Sequence, residues 1–251
     1  MHRNVPFRAA GTLGGMQLLL IRHAQSVNNL LLETTGAEDG RIPDPELTPR
    51  GLEQAELLGQ AFGEGHLPRP DLLISSLMRR AVQTVAPISA ALDMPIQGDA
   101  TVYEVKGVHL GIPDSPQGAQ PHPGAPASEL LAIAPKLQLP VGADEAGWYH
   151  SPVETPELAW RRAQAVIDGL GARFGDTDHL IGIVTHGWFA QFLIRAFVSW
   201  APQQHAGLPT WLELWNTSTT LLRCPGPGSY HPTSIAWLNR VDHLPASMIT
   251  S

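Results

Sequence analysis

The chain has 251 residues and a formal net charge of −7, so its surface is acidic overall. Binding to nucleic acid depends on a basic surface, and this charge therefore argues against a nucleic-acid partner. Hydrophobic residues make up 43% of the chain, which is typical of a globular protein, and the length is sufficient for one large domain with a substantial core.

Three further features bear on the location of the protein. Cys224 is the only cysteine, so an intrachain disulfide is excluded. The chain has no apolar run that approaches the ~18 residues of a membrane span. Residues 1–15 contain no long apolar segment of the kind found in signal peptides, and we interpret them as an N-terminal tail. These features predict a cytoplasmic protein without a membrane partner.

Strands and helices are predicted to alternate along the chain. Short apolar runs such as Gln17–Ile21 are typical of strands buried on both faces of a parallel sheet. Thr48 and Thr155, each followed by proline, are typical helix N-caps. Ser76 is interpreted as a third N-cap, and Pro87 is expected to kink or shorten the helix that begins after Ser76. In chain order we predict a strand at 17–21, a helix from 49 to about 63, a strand at 71–75, a helix at 77–92, a short strand at 101–105, a helix at 156–174, a strand at 179–184 and a helix at 188–198.

Two other stretches have a different character. Residues from about 106 to 153 are rich in Gly, Pro and His, and only 128–133 has a helical pattern. A stretch of this length without regular structure is uncommon unless it is functional, and we interpret it as a lid insertion. Near the end of the chain, 212–223 and 234–238 predict two strands that pair as a hairpin at one edge of the sheet.

The alternation of strand and helix predicts an α/β fold. We expect a three-layer αβα sandwich with a mostly parallel central sheet, an antiparallel edge and the lid insertion. One domain is expected to cover residues 16–245, and residues 246–251 are interpreted as a C-terminal tail.

Polar side chains follow three of the predicted strands. Arg22 and His23 follow the first, Arg80 lies just beyond the second, and His186 follows the strand at 179–184. Ligands of such sheets lie beyond the carboxyl ends of the strands, so two histidines and several arginines are expected to meet at one edge.

This set of residues matches the needs of phosphoryl transfer without a metal. Arginine binds phosphate oxygens with a planar set of donors, and a neutral imidazole is a good nucleophile near neutral pH. An acid must also protonate the leaving group. Glu104 is the strongest candidate for that acid, and Asp114 is an alternative in the nearby loop.

Four short segments resemble the motifs of the histidine phosphatase superfamily, which includes the cofactor-dependent phosphoglycerate mutases. The resemblance extends from about Met16 to Leu244, in the order and spacing of that family, and the chain departs from the pattern at Ala24, where the family commonly has glycine. The matching segments are Leu20-Ile-Arg-His-Ala-Gln-Ser26 with Asn29, Ser76-Leu-Met-Arg-Arg-Ala-Val-Gln-Thr84, Val102-Tyr-Glu104 and Val184-Thr-His-Gly187.

The resemblance implies a role for each matching residue. His23 would be the phosphorylated nucleophile, Glu104 the general acid and then the base, and His186 a group that stabilises the transferring phosphoryl. The phosphate would be bound by the two arginines, an asparagine side chain and a backbone N–H of the motifs, namely Arg22, Arg80, Asn29 and Gly187. Arg79 stays an alternative to Arg80 as the phosphate-binding arginine.

Three functions remain open at this stage. The first is a phosphomonoester hydrolase with a phosphohistidine intermediate, acting on a small phosphorylated molecule without cofactor or metal. The second is a phosphoglycerate mutase, which is disfavoured because Val105-Lys106-Gly107-Val108-His109 lacks the basic, Tyr-containing segment of the mutases. The third is a phosphate-binding module without catalysis. No paired histidine spacing indicates a zinc site. A homodimer is kept open as a partner, since the sequence does not indicate the oligomeric state.

Overall fold

The fold is described from a computed structural model, which covers residues 15–112, 118–198, 210–226 and 232–251. These residues form a seven-stranded sheet, a separate two-stranded hairpin and helices that pack on both faces of the sheet. The elements are β1 (Gln17–Arg22), α1 (Val27–Thr35), α2 (Pro49–Gly63), β2 (Leu72–Ser76), α3 (Arg79–Leu92), β3 (Ile96–Asp99), β4 (His109–Gly111), β5 (Ala119–Pro121), α4 (Ala127–Ile133), β6 (Leu137–Gln138), α5 (Pro156–Phe174), β7 (Leu180–Thr185), α6 (Gly187–Phe197), β8 (Thr219–Arg223) and β9 (Ser234–Arg240).

The strand order of the large sheet is β6-β3-β2-β7-β1-β8-β9. The pairs from β6 to β1 are all parallel, and β8 and β9 pair antiparallel at one edge. The α/β class, the mostly parallel sheet and the antiparallel edge are thereby confirmed. The topology puts β1 between β7 and β8, so the segment after β1 emerges near the middle of the sheet.

Two hydrophobic cores fill the space between the sheet and its helices. Leu19 and Ile21 of β1 belong to the core under α2 and α3, whereas Leu18 and Leu20 belong to the core under α5 and α6. Successive strand residues point to opposite faces, so a continuous apolar strand serves both cores. This packing produces the predicted three layers.

The two helices of one layer pack closely where a glycine meets a proline. A Cβ atom added to Gly59 of α2 would lie 2.8 Å from Cβ of Pro87 in α3. Helix α3 nevertheless runs through Pro87 from Arg79 to Leu92. Its N-cap is Met78, whereas the hydroxyl of Ser76, the N-cap expected from the sequence, accepts from the Met78 N–H at 3.2 Å.

Several element boundaries differ from the sequence prediction. The strand expected at 101–105 is absent, and the strand of this part of the chain is β3, which lies earlier. Its four residues, Ile96-Gln-Gly-Asp, have too few apolar side chains to produce a strand pattern. Helix α1 was not predicted because none of its residues is buried, so it has no apolar face toward the core. Of the strand expected at 212–223, only Thr219–Arg223 forms β8.

The segment predicted as a lid contains more regular structure than its sequence indicates. It includes the β4–β5 hairpin and helix α4, and its short strand β6 joins the large sheet beside β3. The last residues of the chain, predicted as a tail, form a 3₁₀ turn at Ala246–Met248 and then hydrogen bonds to the main body of the protein.

Candidate active site

The register of the central strands brings the two predicted site histidines together. Arg22, the last residue of β1, pairs with Thr185, the last residue of β7. The His23 N–H continues this ladder by donating to the Thr185 carbonyl at 2.9 Å. His23 and His186 therefore leave the sheet side by side. The expectation that the carboxyl ends of these strands form one edge is met here.

The two imidazoles are neighbours inside the protein. Their ring centroids lie 5.0 Å apart at an interplanar angle of 58°. His23 is 3% exposed and His186 is fully buried. A buried pair of this kind is uncommon in a protein interior, because each ring nitrogen needs a hydrogen-bond partner or the cost of desolvation is not recovered.

The hydrogen bonds of His23 determine which ring nitrogen is basic. Nδ1 lies 2.7 Å from the Ala24 carbonyl oxygen, which can only accept, so Nδ1 carries the proton. Nε2 then has the lone pair, and it accepts from Nε of Arg80 at 3.1 Å. The basic nitrogen of His23 is consequently Nε2, and it faces a guanidinium.

His186 has one partner for its ring. Its Nε2 lies 2.9 Å from the hydroxyl of Ser76, at the end of β2. Its Nδ1 is buried and has no hydrogen-bond partner among the described residues. If the Ser76 hydroxyl donates to Nε2, the proton of the neutral ring is on Nδ1, and this N–H can serve as a donor to an anion.

Both histidines are held in the neutral form at ordinary pH. Burial lowers the pKa of His23 well below its usual 6.5, and the charges of Arg80 and Arg22 lower it further. Burial also lowers the pKa of His186 well below 6.5, with Arg80 and the His23 ring as the next causes. A neutral imidazole is the form that can attack phosphorus.

Arg22 lies against the first turn of α6. A Cβ atom added to Gly187 would lie 3.1 Å from Nε of Arg22, so glycine permits this close approach. Arg22 donates from Nη1 to the Leu214 carbonyl, and its Nε is buried with no hydrogen-bond partner among the described residues. Burial lowers the pKa of Arg22 to about 10, so the side chain stays charged at neutral pH.

Arg80 rather than Arg79 faces the His23 ring. Arg80 is 8% exposed, and burial lowers its pKa, while the charge of Asp44 acts in the opposite direction. Arg79 points away and forms an ion pair with Glu129 of α4. The geometry thus separates two arginines that are adjacent in the sequence. Thr84, one turn later, accepts from the Ala24 N–H at 3.0 Å and so holds the residue after His23.

Glu104 is held by backbone donors at the start of α6. Its Oε1 accepts from the N–H groups of Phe189 and Val105, both at 2.8 Å, and its Oε2 accepts from the Trp188 N–H at 3.2 Å. The first N–H groups of a helix have no partner within it, so they can hold a carboxyl group by donating to its oxygens. A turn, rather than the predicted strand, therefore carries this carboxyl.

Arg162 of α5 holds the turn that carries Glu104. Its guanidinium donates to the carbonyls of Thr101 and Tyr103 and to both oxygens of Glu154. The guanidinium carbon also lies 3.6 Å from the ring centroid of Tyr103 and 3.8 Å from that of Phe189. Its role was not foreseen from the sequence, because Arg162 lies on a distant helix with no motif around it.

Two other residues were proposed from the sequence, Asn29 as a phosphate donor and Asp114 as an alternative acid. Asn29 is part of a helix cap: its Oδ1 accepts from the N–H of Ser26 at 3.0 Å and from its hydroxyl at 2.9 Å. A contact of Asn29 with phosphate, predicted from the resemblance, would have to use Nδ2. Asp114, the alternative acid, lies outside the described residues.

The carbonyl of His23 has contacts that sequence reasoning did not foresee. Asn216 Nδ2 donates to it at 3.0 Å, and the Thr217 N–H donates to it at 3.3 Å. Thr217 has a φ of 58°, a left-handed conformation that is strained for a β-branched residue. Asn216 and Thr217 lie far along the chain from His23, and no chemical pattern around them in the sequence indicated this contact.

This fold and site define a protein whose buried histidine pair lies between arginines at the carboxyl edge of a parallel sheet. The family model described as "Histidine phosphatase superfamily (branch 1)" matches residues 18–230. The chain belongs to the histidine phosphatase superfamily, as the sequence motifs predicted.

Individual relatives share parts of the sequence or the fold. Phosphoserine phosphatase 1 of Hydrogenobacter thermophilus is 32% identical over 90 residues, which are 36% of this chain and 39% of that protein. The matched part is thus well under half of that relative's length. A phosphoserine phosphatase mutant from Entamoeba histolytica in complex with phosphoserine has a TM-score of 0.55 at 20% identity, over 91% of this chain and 99% of its own.

A second solved structure has a similar fold. A mycobacterial glucosyl-3-phosphoglycerate phosphatase in complex with VO3 has a TM-score of 0.56 at 22% identity, over 89% of this chain and 98% of its own.

In the part of the chain that the structure describes, no helix is long and apolar enough to cross a membrane. Among the residues that the structure describes, no group of three or more His, Cys, Asp or Glu side chains is arranged to hold a metal ion.

Proposed function

We propose that this protein is a metal-independent phosphomonoester hydrolase that acts on a small phosphorylated molecule through a phosphohistidine at His23. The observation that carries the proposal is the pair of buried, neutral imidazoles 5.0 Å apart, with Arg80 in hydrogen-bond contact with Nε2 of one of them. A nucleophile beside fixed positive charge is what phosphoryl transfer requires, because the transition state distributes charge over the phosphate oxygens.

In the first step, Nε2 of His23 attacks phosphorus. The N–P bond forms as the bond from phosphorus to the leaving oxygen breaks, and Glu104 gives its proton to that oxygen. The Nδ1 proton stays on His23 and is hydrogen-bonded to the Ala24 carbonyl, with Nδ1 2.7 Å from the oxygen. This hydrogen bond stabilises the ring as it gains positive charge. Arg80 changes partner from Nε2 to a phosphate oxygen during the attack.

In the second step, a water molecule replaces the histidine. Glu104 takes a proton from the water, whose oxygen attacks phosphorus while the N–P bond breaks. Inorganic phosphate leaves, the lone pair returns to Nε2, and Glu104 is protonated again for the next cycle. One carboxyl can serve as acid and then as base because the two steps occur on the same side of phosphorus.

The phosphate oxygens of any substrate need hydrogen-bond donors from the protein. Arg22 Nε and His186 Nδ1 are buried without a hydrogen-bond partner among the described residues, which supports a role for both as donors to phosphate. The Gly187 N–H, in the first turn of α6, is a third candidate donor. Asn29 Nδ2 is proposed as a fourth.

The segment 106–153 is proposed to cover the leaving group. His109 of β4 accepts at Nε2 from Nη1 of Arg41 at 3.0 Å, which links this segment to the loop after α1. Lys106 lies over the ring of Trp188, 5.5 Å from its centroid, beside the backbone that holds Glu104.

The names of the similar proteins make phosphoserine and a glycosylated phosphoglycerate the first substrates to assay. A homodimer and a cytoplasmic location stay predictions.

The test uses His23→Ala and an aryl phosphate. The wild type is expected to hydrolyse it, and His23→Ala is expected to lose activity by about 10³-fold or more, because the substitution removes Nε2, the proposed nucleophile. His66→Ala is the matched control, since the His66 side chain is 70% exposed. Wild-type turnover by His23→Ala would refute the mechanism.

Further measurements separate this function from the alternatives. A phosphohistidine trapped in the wild type and absent from His23→Ala supports the intermediate, whereas binding of the ester without turnover indicates a binding module. Isomerisation of phosphoglycerate that requires a bisphosphoglycerate primer indicates a mutase. Activity is expected to survive EDTA, and its loss on chelation would indicate a required metal.

A further inference from the structure

A chain of buried hydrogen bonds runs from the end of the protein to the backbone of His23. The Thr250 hydroxyl donates to Oδ1 of Asn216 at 2.9 Å, and Asn216 Nδ2 donates to the His23 carbonyl at 3.0 Å. The Asn216 N–H also donates to the Thr250 carbonyl at 2.9 Å. Asn216 is fully buried and Thr250 is 9% exposed, so water does not compete strongly for these groups.

The same threonine is tied to the other side of the nucleophile loop. Gln54 of α2 donates from Nε2 to the Thr250 hydroxyl at 2.8 Å and to the Met248 carbonyl at 2.6 Å. Its Oε1 accepts from the N–H of Gln25 at 2.8 Å. The Thr250 hydroxyl, which accepts from one amide and donates to the other, therefore closes a network around His23, Ala24 and Gln25.

This network bears on the geometry of the reaction. The ring orientation of His23 depends on its Nδ1–H bond to the Ala24 carbonyl, and the position of Ala24 is set in turn by the peptide that joins it to His23. The oxygen of that peptide is the His23 carbonyl, which receives the donors of Asn216 and Thr217. Two donors on one carbonyl, one of them from a residue in a strained left-handed conformation, keep the peptide from rotating.

We propose that Thr250 is a positioning residue for the nucleophile, which acts through Asn216 to hold the peptide after His23. The inference rests on the proposed function, because it assigns the network to the attack of His23 on phosphorus. Removal of the hydroxyl leaves Oδ1 of Asn216 buried without its donor, so the amide is free to turn away from the His23 carbonyl. A small displacement of a nucleophile lowers the rate strongly, because the bound geometry must align the reacting atoms.

Three variants separate positioning from simple stability. Thr250→Val removes the hydroxyl at nearly constant volume, and Thr250→Ser restores it. Thr219→Val is the matched control: Thr219 is fully buried on β8, and its hydroxyl accepts from Trp237 Nε1 at 3.2 Å, away from the His23 carbonyl.

The first readout is steady-state hydrolysis of an aryl phosphate. We expect Thr250→Val to lower kcat about tenfold with KM within about twofold, because the nucleophile is displaced while the phosphate donors stay in place. Thr250→Ser should return kcat to within about twofold of the wild type. Thr219→Val should lower the Tm comparably and keep kcat. Equal losses of kcat in Thr250→Val and Thr219→Val would overturn the proposal.

The second readout does not depend on turnover. In ¹⁵N spectra of the histidine side chains, the wild-type His23 ring should show one tautomer, with the proton on Nδ1. Thr250→Val should shift or broaden this signal, and Thr219→Val should not. If the wild type hydrolyses no phosphate ester, the proposed function fails, and the spectra alone decide the positioning role. An unchanged His23 signal in Thr250→Val would overturn the role in either case.

Discussion

The proposed nucleophile and the proposed acid of the candidate site are held in different ways. His23 directly follows β1, and its N–H continues the ladder to β7. Glu104 lies in a turn between β3 and β4, and its carboxyl is held by N–H groups at the start of α6. One group is positioned by the register of a sheet, and the other by contacts between a turn and two helices.

The difference shows how each position can be disturbed. The ladder of the central sheet is shared by many residues, so the path of β1 up to His23 depends on no single side chain. The proposed role of Thr250 concerns only the peptide after His23. The turn of Glu104 depends on a few specific partners, above all Arg162, whose ion pair with Glu154 is nearly buried. We therefore expect the acid to be the more sensitive of the two to substitutions away from the reacting atoms.

The largest effect tests the acid itself. Glu104→Gln keeps the size of the side chain but removes the proton that the leaving group needs. We expect kcat to fall by about 10²–10⁴-fold for an alkyl phosphate and far less for an aryl phosphate with an acidic leaving group. Steady-state assays with both esters measure this.

Glu64→Gln, on a side chain that is 63% exposed, serves as the control for Glu104→Gln. An equal loss of kcat for both esters would contradict the role of Glu104 as acid and leave only a role in structure.

The next effect tests the sheet edge near the nucleophile. Gly187→Ala brings a Cβ to 3.1 Å from Nε of Arg22, so the guanidinium must move. We expect kcat/KM to fall about tenfold to 10²-fold, because a phosphate donor is displaced. Gly169→Ala is the control, since an added Cβ there meets no atom within 4 Å. Wild-type kcat/KM in Gly187→Ala would contradict the expectation that the reaction depends on the position of the Arg22 guanidinium.

A smaller effect tests the support of the acid turn. Arg162→Lys keeps the positive charge but cannot reach both carboxylate oxygens and both carbonyls at once. We expect kcat for an alkyl phosphate to fall about tenfold, with a smaller change for the aryl ester. Arg161→Lys is the control, because Arg161 is exposed on the same helix. Equal losses for both esters would place the defect elsewhere than in the acid.

The smallest effect concerns stability and pH. His23 and His186 have pKa values well below 6.5 in the folded protein, whereas in the unfolded chain they titrate near that value. Below pH 6.5 the unfolded chain therefore binds more protons than the folded protein, and the free energy of unfolding falls as the pH falls. Each histidine contributes up to about 1.4 kcal/mol per pH unit in this range.

Denaturant unfolding between pH 7 and pH 5 measures this loss. His186→Asn should reduce the slope of the free energy of unfolding against pH by the contribution of one histidine. His66→Asn, at an exposed position, should leave this slope unchanged. An unchanged slope in His186→Asn would contradict a neutral, buried His186.

The site was predictable from the sequence where its residues directly follow strands. Arg22, His23 and His186 could be placed together because parallel strands end at one edge. The choice between Arg79 and Arg80 could not be made in this way, because neighbouring helix residues point in different directions, and the rotation of α3 on the sheet decides which one is inside.

The sequence determined the alternation of strand and helix, the two-faced burial of β1 and β7, and the motifs that lie at the strand ends, because these depend on local pattern and on the rule of parallel sheets. Only the tertiary structure decided that Arg162 holds the turn of Glu104, and that Thr250 and Asn216 reach the carbonyl of His23. Those contacts join segments that are distant along the chain, and such contacts arise from how the layers pack rather than from any local pattern.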